Sequence, residues 1–85
     1  MTTTRVRRLG GRNLEVNGCR VWGPDVDEHG AKTWHVALVS RNPNTQEYTP
    51  VGKVYDVRNF FKARQLAAKI ATDKSVEYFD AASIL

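Results

Sequence analysis

Apolar residues recur at every second position through most of the chain and switch once to a helical spacing. The first alternating stretch is Leu14-Glu15-Val16-Asn17-Gly18-Cys19-Arg20-Val21. Asn-Gly between two alternating runs is the strongest short-range signal for a two-residue type I′ hairpin, because both turn residues need φ > 0. That turn predicts Val16 facing Cys19 and Leu14 facing Val21 on one side, with Glu15 opposite Arg20 and Asn13 opposite Trp22 on the other. Gly23 and Pro24 end the strand, and the acidic loop PDVDEHGAK follows. A second run, at about 33–41, puts Trp34, Val36 and Leu38 on one face and His35, Ala37, Val39 and Arg41 on the other. After the turn NPNTQ (42–46), a strand at about 48–57 carries Val51, Lys53, Tyr55 and Val57 in one phase. Pairing Leu38 with Val51 predicts Trp34 beside Tyr55 and Ala37 beside Gly52. Pro50 cannot donate to a ladder, so this strand reads as an edge or as bulged at that point.

At Asn59 the period changes. Asn59 is suited to cap a helix, and Phe60, Ala63, Ala67 and Ile70 repeat at helical spacing with Leu66 beside them. Lys62, Gln65 and Lys69 form the outer stripe, and the pattern runs to about Asp73. VEYF (76–79) reads as a last short strand, and 81–85 as a tail that frays. The helix is a right-handed crossover if that last strand lies parallel to the preceding one. The predicted fold class is α+β: a small two-layer domain, a mostly antiparallel sheet in the order β-β-β-β-α-β with one helix packed on one face. Residues 13–80 form the single domain, preceded by a basic, flexible N-terminal arm over 1–12. The predicted core is Leu14, Val16, Val21, Trp34, Val36, Leu38, Val51, Tyr55, Phe60, Ala63, Ala67 and Ile70. One helix covers one face, which leaves Arg20, Trp22, His35, Val39 and Arg41 on an open one.

Charge changes this picture more than composition does. The net charge is +4 over 85 residues. Residues 1–22 hold Arg5, Arg7, Arg8, Arg12 and Arg20 against Glu15, a net +4. Residues 23–57 hold Lys32, Arg41 and Lys53 against Asp25, Asp27, Glu28, Glu47 and Asp56, a net −2. Residues 58–85 hold Arg58, Lys62, Arg64, Lys69 and Lys74 against Asp73, Glu77 and Asp80, a net +2. Basic ends around an acidic middle suit a polyanion. The 41% hydrophobic and 26% charged content is that of a soluble globular protein. No apolar run reaches membrane-spanning length, and the start MTTTRVRRLGG lacks the apolar core of a secretory signal. A single cysteine, Cys19, makes no intrachain disulfide and points to a reducing, cytoplasmic setting.

Catalytic and metal chemistry find little support. Cys19 is expected inward and His35 outward, so they make no nucleophile–base pair. DVDEHG (25–30) starts like a calcium loop but places His29 and Val36 where oxygen ligands are needed. His29, His35 and one cysteine match no zinc spacing. RRLGGR lacks the Lys-Ser/Thr of a phosphate loop and reads as a basic arm or a tight turn. The expectation is a non-enzymatic binding protein without cofactor or metal. Its contact residues would be Arg5, Arg7, Arg8 and Arg12 of the arm, on phosphates, and Arg20, Trp22, His35 and Arg41 of the open face, with DNA or RNA as the partner. The alternative is a protein-binding module, an adaptor or an inhibitor of a larger complex. It would act through an edge strand or exposed aromatics, or as a homodimer through Trp22. The two readings divide on whether the arginines form one patch or the acidic loop 25–28 folds over it.

WHVALVSRNPNTQEYTPVGKVYDVRNFFKARQLAAKIA (34–71) resembles in outline the three-stranded sheet and helix of recombinase arm-binding and AP2-type domains. That resemblance implies DNA reading by the sheet face opposite the helix. The strand at 48–57 departs from the pattern, since Lys53 is its one cation and it carries Pro50 and Asp56.

Overall fold

A computed structural model describes residues 4–9 and 12–84, with side chains from Val16 onward. The elements run β1 (Thr4–Leu9), β2 (Arg12–Val16), β3 (Gly18–Val26), β4 (Lys32–Arg41), β5 (Tyr48–Pro50), β6 (Tyr55–Val57), α1 (Phe60–Lys74) and β7 (Glu77–Ala82). The main sheet has five strands in the order β5-β4-β3-β7, with β6 also pairing β4. β3 is antiparallel to β4 and parallel to β7. The helix therefore carries the chain from one edge of the sheet to the other, rather than to a strand beside β6. The result is the small α+β domain that the pattern predicts, one helix on a mostly antiparallel sheet.

The helix begins where Asn59 caps it: the Asn59 Oδ1 accepts the backbone N–H of Lys62 at 2.9 Å. It ends at Ser75, whose left-handed backbone (φ 55°) lets its N–H reach back to the carbonyls of Ala71 and Thr72. Three alanines, Ala63, Ala67 and Ala71, form its buried line. Small side chains let the helix settle closely on Cys19, Val21, Trp34 and Val36, and this group is the main core. Trp34 is held at both ends, edge-on to Phe60 and through its Nε1–H, which donates to the Ser83 carbonyl at 3.0 Å. Burying a tryptophan requires such a partner for its N–H. β7 consequently runs on through Ala81 and Ala82, into the stretch expected to be a fraying tail.

Asn17-Gly18 does not make the expected hairpin. β2 pairs with β1, β3 pairs with β4 and β7, and neither Asn17 nor Gly18 has a positive φ. The pairs Val16–Cys19, Leu14–Val21, Glu15–Arg20 and Asn13–Trp22 are therefore absent. Contacts distant in sequence hold the dipeptide instead. Asn17 N–H donates to the Val39 carbonyl at 2.9 Å, and its side-chain oxygen accepts the N–H of Arg41 at 2.6 Å. Gly18 is needed for closeness: a Cβ there would overlap the Phe79 ring and lie 2.9 Å from the Glu77 carbonyl oxygen.

The stretch 48–57 is an edge with a break. Val39 faces Pro50 and Val51 N–H donates to Leu38 O, in the expected register. Gly52 then takes φ +80°, and pairing resumes two residues out of step, with Val36 facing Tyr55 and Trp34 facing Val57. Tyr55 is consequently displaced from Trp34 and 38% exposed, outside the core expected for it. Leu38, Phe60 and Ile70 pack against the core half-buried. The side chain of Leu14 lies outside the described residues.

Candidate functional site

Alternation along the strands decides which side chains share the face opposite the helix. On β3 these are Gly18, Arg20 and Trp22, and on β4 His35, Ala37, Val39 and Arg41. β5 adds Tyr48 and Pro50, β6 adds Asp56, and β7 adds Glu77, Phe79 and Ala81. The face is not the open surface expected from one helix. Ala37 and Val39 are buried, with 0% and 1% exposure, as is Val16 at the end of β2. Tyr48 and Phe79 come from opposite edges and meet at 5.1 Å between ring centroids, with Phe79 lying against Gly18.

Arg20 contacts two aromatic rings of this face, Tyr48 and Trp22. Its guanidinium sits 5.0 Å from the Tyr48 centroid and 5.6 Å from that of Trp22. Cation–π contact with two rings holds the planar guanidinium in place on the face. Trp22 in turn lies 5.5 Å from the His35 ring. Phe79, Tyr48, Arg20, Trp22 and His35 thus form one continuous half-buried row across the sheet.

The two ends of the row differ in charge. At one end His35 Nδ1 is 2.7 Å from Asp56 Oδ1, and Nε2 is 2.6 Å from Asp25 Oδ2. With a carboxylate on each nitrogen, the ring that satisfies both contacts is an imidazolium donating two hydrogen bonds. Burial opposes that charge, but the hydrogen bonds and charges of Asp56 and Asp25 outweigh it and raise the His35 pKa above its ordinary value. His35 is therefore occupied, and phosphate is poorly suited to this end. Asp25 reaches His35 from near the end of β3, where the acidic stretch begins. Asp27 instead closes the loop on itself, its Oδ1 accepting N–H groups of His29 and Ala31 at 2.9 Å each.

Arg41 stands at the other end, exposed and opposite Tyr48. Beside it, Asn17 leads back into β2. Arg12 of β2 faces Leu9, while Arg5 and Arg8 of β1 face Glu15 and Asn13, with an irregularity between Arg5 and Arg8 that takes in Arg7. The side chains of Arg5, Arg7, Arg8 and Arg12 lie outside the described residues. Of the expected contact residues, Arg20 and Trp22 are joined in the row, His35 is bound by carboxylates, and Arg41 borders the row across Tyr48.

Cys19 faces the helix, on the opposite side of the sheet from His35, so the two are not brought together. Burial pushes its thiol up to about 11, which keeps it protonated at neutral pH. Tyr48 and Phe79 were not among the residues expected to act. Tyr48 was available from the alternation, being out of phase with Val51. Phe79 needed the β3–β7 register, which no local pattern announces.

No helix among the described residues is long and apolar enough to cross a membrane. Compared with family models, curated proteins and solved structures, the chain matches none.

Proposed function

We propose that the chain is a non-enzymatic nucleic-acid-binding protein that takes a single strand across the Arg20 half of the helix-free sheet face. The observation that carries this reading is the Arg20 guanidinium in cation–π contact with both Trp22 and Tyr48, with Phe79 against Tyr48. Half-buried rings on a sheet offer π-faces to unpaired bases, and the arginine adds a planar cation that can hold phosphate or a base edge. The arginine-rich β1–β2 pair joins the sheet at the Arg41 end, away from Asp25 and Asp56. Backbone phosphates would follow the arginines, and His35 would take no part in binding.

Fluorescence anisotropy tests this reading, with labelled single-stranded RNA, single-stranded DNA and duplex DNA titrated at about 50 and 200 mM salt. Micromolar or tighter binding of single strands, weakening about 10-fold or more with salt, is the expected result. Undetectable binding at the lower salt overturns it.

One observation favours a protein partner instead. The exposed carboxylates of Asp25 and Asp56 flank His35 at one end of the row, and a basic peptide segment would suit that end better than phosphate. Failure of the anisotropy experiment would leave this second reading standing.

A further inference from the structure

We propose that β7 pairs with β7 of a second copy of this chain, in the antiparallel register that sets Phe79 opposite Phe79 of that copy. The two edges of the sheet differ in how they are guarded. At the β5–β6 edge, Pro50 removes a donor, and the turn at Gly52 splits the strand in two. Both devices discourage pairing with another chain. β7 is an unbroken strand of 6 residues that pairs, among the described residues, with β3 alone.

The backbone narrows the register. Ser83 N–H donates to Gly23 O of β3, so alternation turns the polar groups of Glu77, Phe79 and Ala81 toward β3 as well. Those of Tyr78, Asp80 and Ala82 turn outward. Ala82 N–H is already taken by Asp80 Oδ1 at 3.2 Å. Tyr78 and Asp80 are left to bond a partner strand. A two-fold axis at Phe79 sets Tyr78 against Asp80 of the second copy, and the reverse, so that each pair exchanges both backbone bonds. Shifting the axis to Asp80 would put carboxylate against carboxylate and call on the occupied Ala82 N–H. Shifting it to Tyr78 would set Glu77 against a phenylalanine ring. Only the Phe79 axis avoids both penalties.

The side chains favour the same occupant. Asp80 meets the interface with its charge already balanced by Arg64, 2.7 Å away, and with Tyr78 Oη–H donating to it at 3.3 Å. On the helix side, Phe61 is 60% exposed and Tyr78 36% exposed. With Arg64, Gln65 and Ala68 they line a shallow groove beside β7. An identical strand and helix brought up by the two-fold would cover that groove with its own copy, an isologous contact that closes on itself. On the other face, Phe79 against Phe79 would join two Arg20–Tyr48–Phe79 rows into one surface. This last consequence rests on the function proposed above; the pairing itself does not.

Glu77 and Ala81 of opposite copies become direct neighbours in this register, as a non-hydrogen-bonded pair with Cα atoms about 4.5 Å apart, close enough for a disulfide. Both positions are exposed, and their separation along one strand is too long for a bridge within a chain. The experiment is mild oxidation of Glu77→Cys/Ala81→Cys without nucleic acid, beside each single variant, read on non-reducing gels. Light scattering of the unaltered protein from about 1 to 200 μM accompanies it, a range suited to a small interface. Cys19, buried and protonated, stays out of the exchange. The expected result is a dimer in light scattering, and a cross-linked dimer for the double variant that neither single variant forms. A monomer throughout that range overturns the proposal, as does cross-linking of the single variants to the same extent. So does a dimer that the double variant fails to cross-link. Because no nucleic acid is present, each of these results is independent of the anisotropy outcome.

Discussion

The Phe79 ring occupies the space into which a side chain on Gly18 would project: a Cβ at Gly18 would lie 2.7 Å from Phe79 Cδ2 and 2.9 Å from Glu77 O. Gly18 has an ordinary strand backbone, so conformational freedom is not what the position requires. It requires the absence of a side chain. Exchanging glycine for alanine in a strand usually helps, since glycine loses more entropy on folding. Here Gly18→Ala is expected to destabilise the protein by about 1–3 kcal/mol through overpacking. Urea unfolding measures it. Phe79→Ala should relieve much of that penalty, so the double variant should be more stable than the two single effects predict when added. Simple additivity would show that Phe79 is not the obstacle.

Trp34 links the core to the end of the chain. Trp34→Phe keeps a ring against Phe60 but leaves the Ser83 carbonyl without its indole donor. A loss of about 0.5–1.5 kcal/mol is expected, the usual net worth of one hydrogen bond. Amide exchange at Ser83, whose N–H bonds Gly23 O, should speed up more than exchange in the middle of β4. Uniform acceleration across the sheet would mean that the indole acts only on global stability.

What could be read from the sequence was local in origin. Asn59 as a cap, the alanine line of α1 and the alternation of β4 depend on neighbours within a turn or a strand, and they fold as their spacing predicts. The edge character of 48–57 followed from Pro50 alone. Two features could not be read in this way. Asn17-Gly18 carries strong turn chemistry, yet its glycine serves a ring from β7 and its asparagine bridges to β4, so a distant contact overrode a local preference. The His35 site depends on the break at Gly52. In an unbroken register His35 would face Val54, and the two-residue shift is what brings Asp56 opposite it. The acidic residues of that site were visible as charges; their position depended on a single glycine.

His35 should make stability depend on pH. Its pKa is raised in the folded state, since Asp56 and Asp25 outweigh the cost of burial. A raised pKa means that the folded protein binds the proton more tightly than the unfolded chain does. The stabilisation is therefore fully present below the ordinary histidine value of about 6.5, and it disappears as pH rises through the folded-state value. Exposure of both carboxylates keeps the effect to about 1 kcal/mol or less. Urea unfolding from about pH 6 to pH 9 should show stability falling across that window, and His35→Gln should flatten the fall. A variant that keeps the same slope would place the titrating group elsewhere.

Binding variants should separate the two ends of the aromatic row. Arg20→Ala removes the cation in contact with Trp22 and Tyr48. If it meets a phosphate, affinity for single strands should fall and the salt slope should decrease by about 1. Tyr48→Ala removes a stacking surface without removing charge. It should cost about 1–3 kcal/mol per stacked base and leave the salt slope unchanged. Asp56→Asn takes a negative charge from the His35 end and leaves Arg20, Trp22, Tyr48 and Phe79 in place, so it should weaken nothing and should strengthen binding slightly at low salt, where screening is least. Urea unfolding of each variant separates lost contacts from lost fold. Arg20 and Tyr48 variants that remain folded and bind as tightly as the unaltered protein would exclude this face as the site. Equal losses for Asp56→Asn and Arg20→Ala would place the contact at the His35 end, where the carboxylates stand.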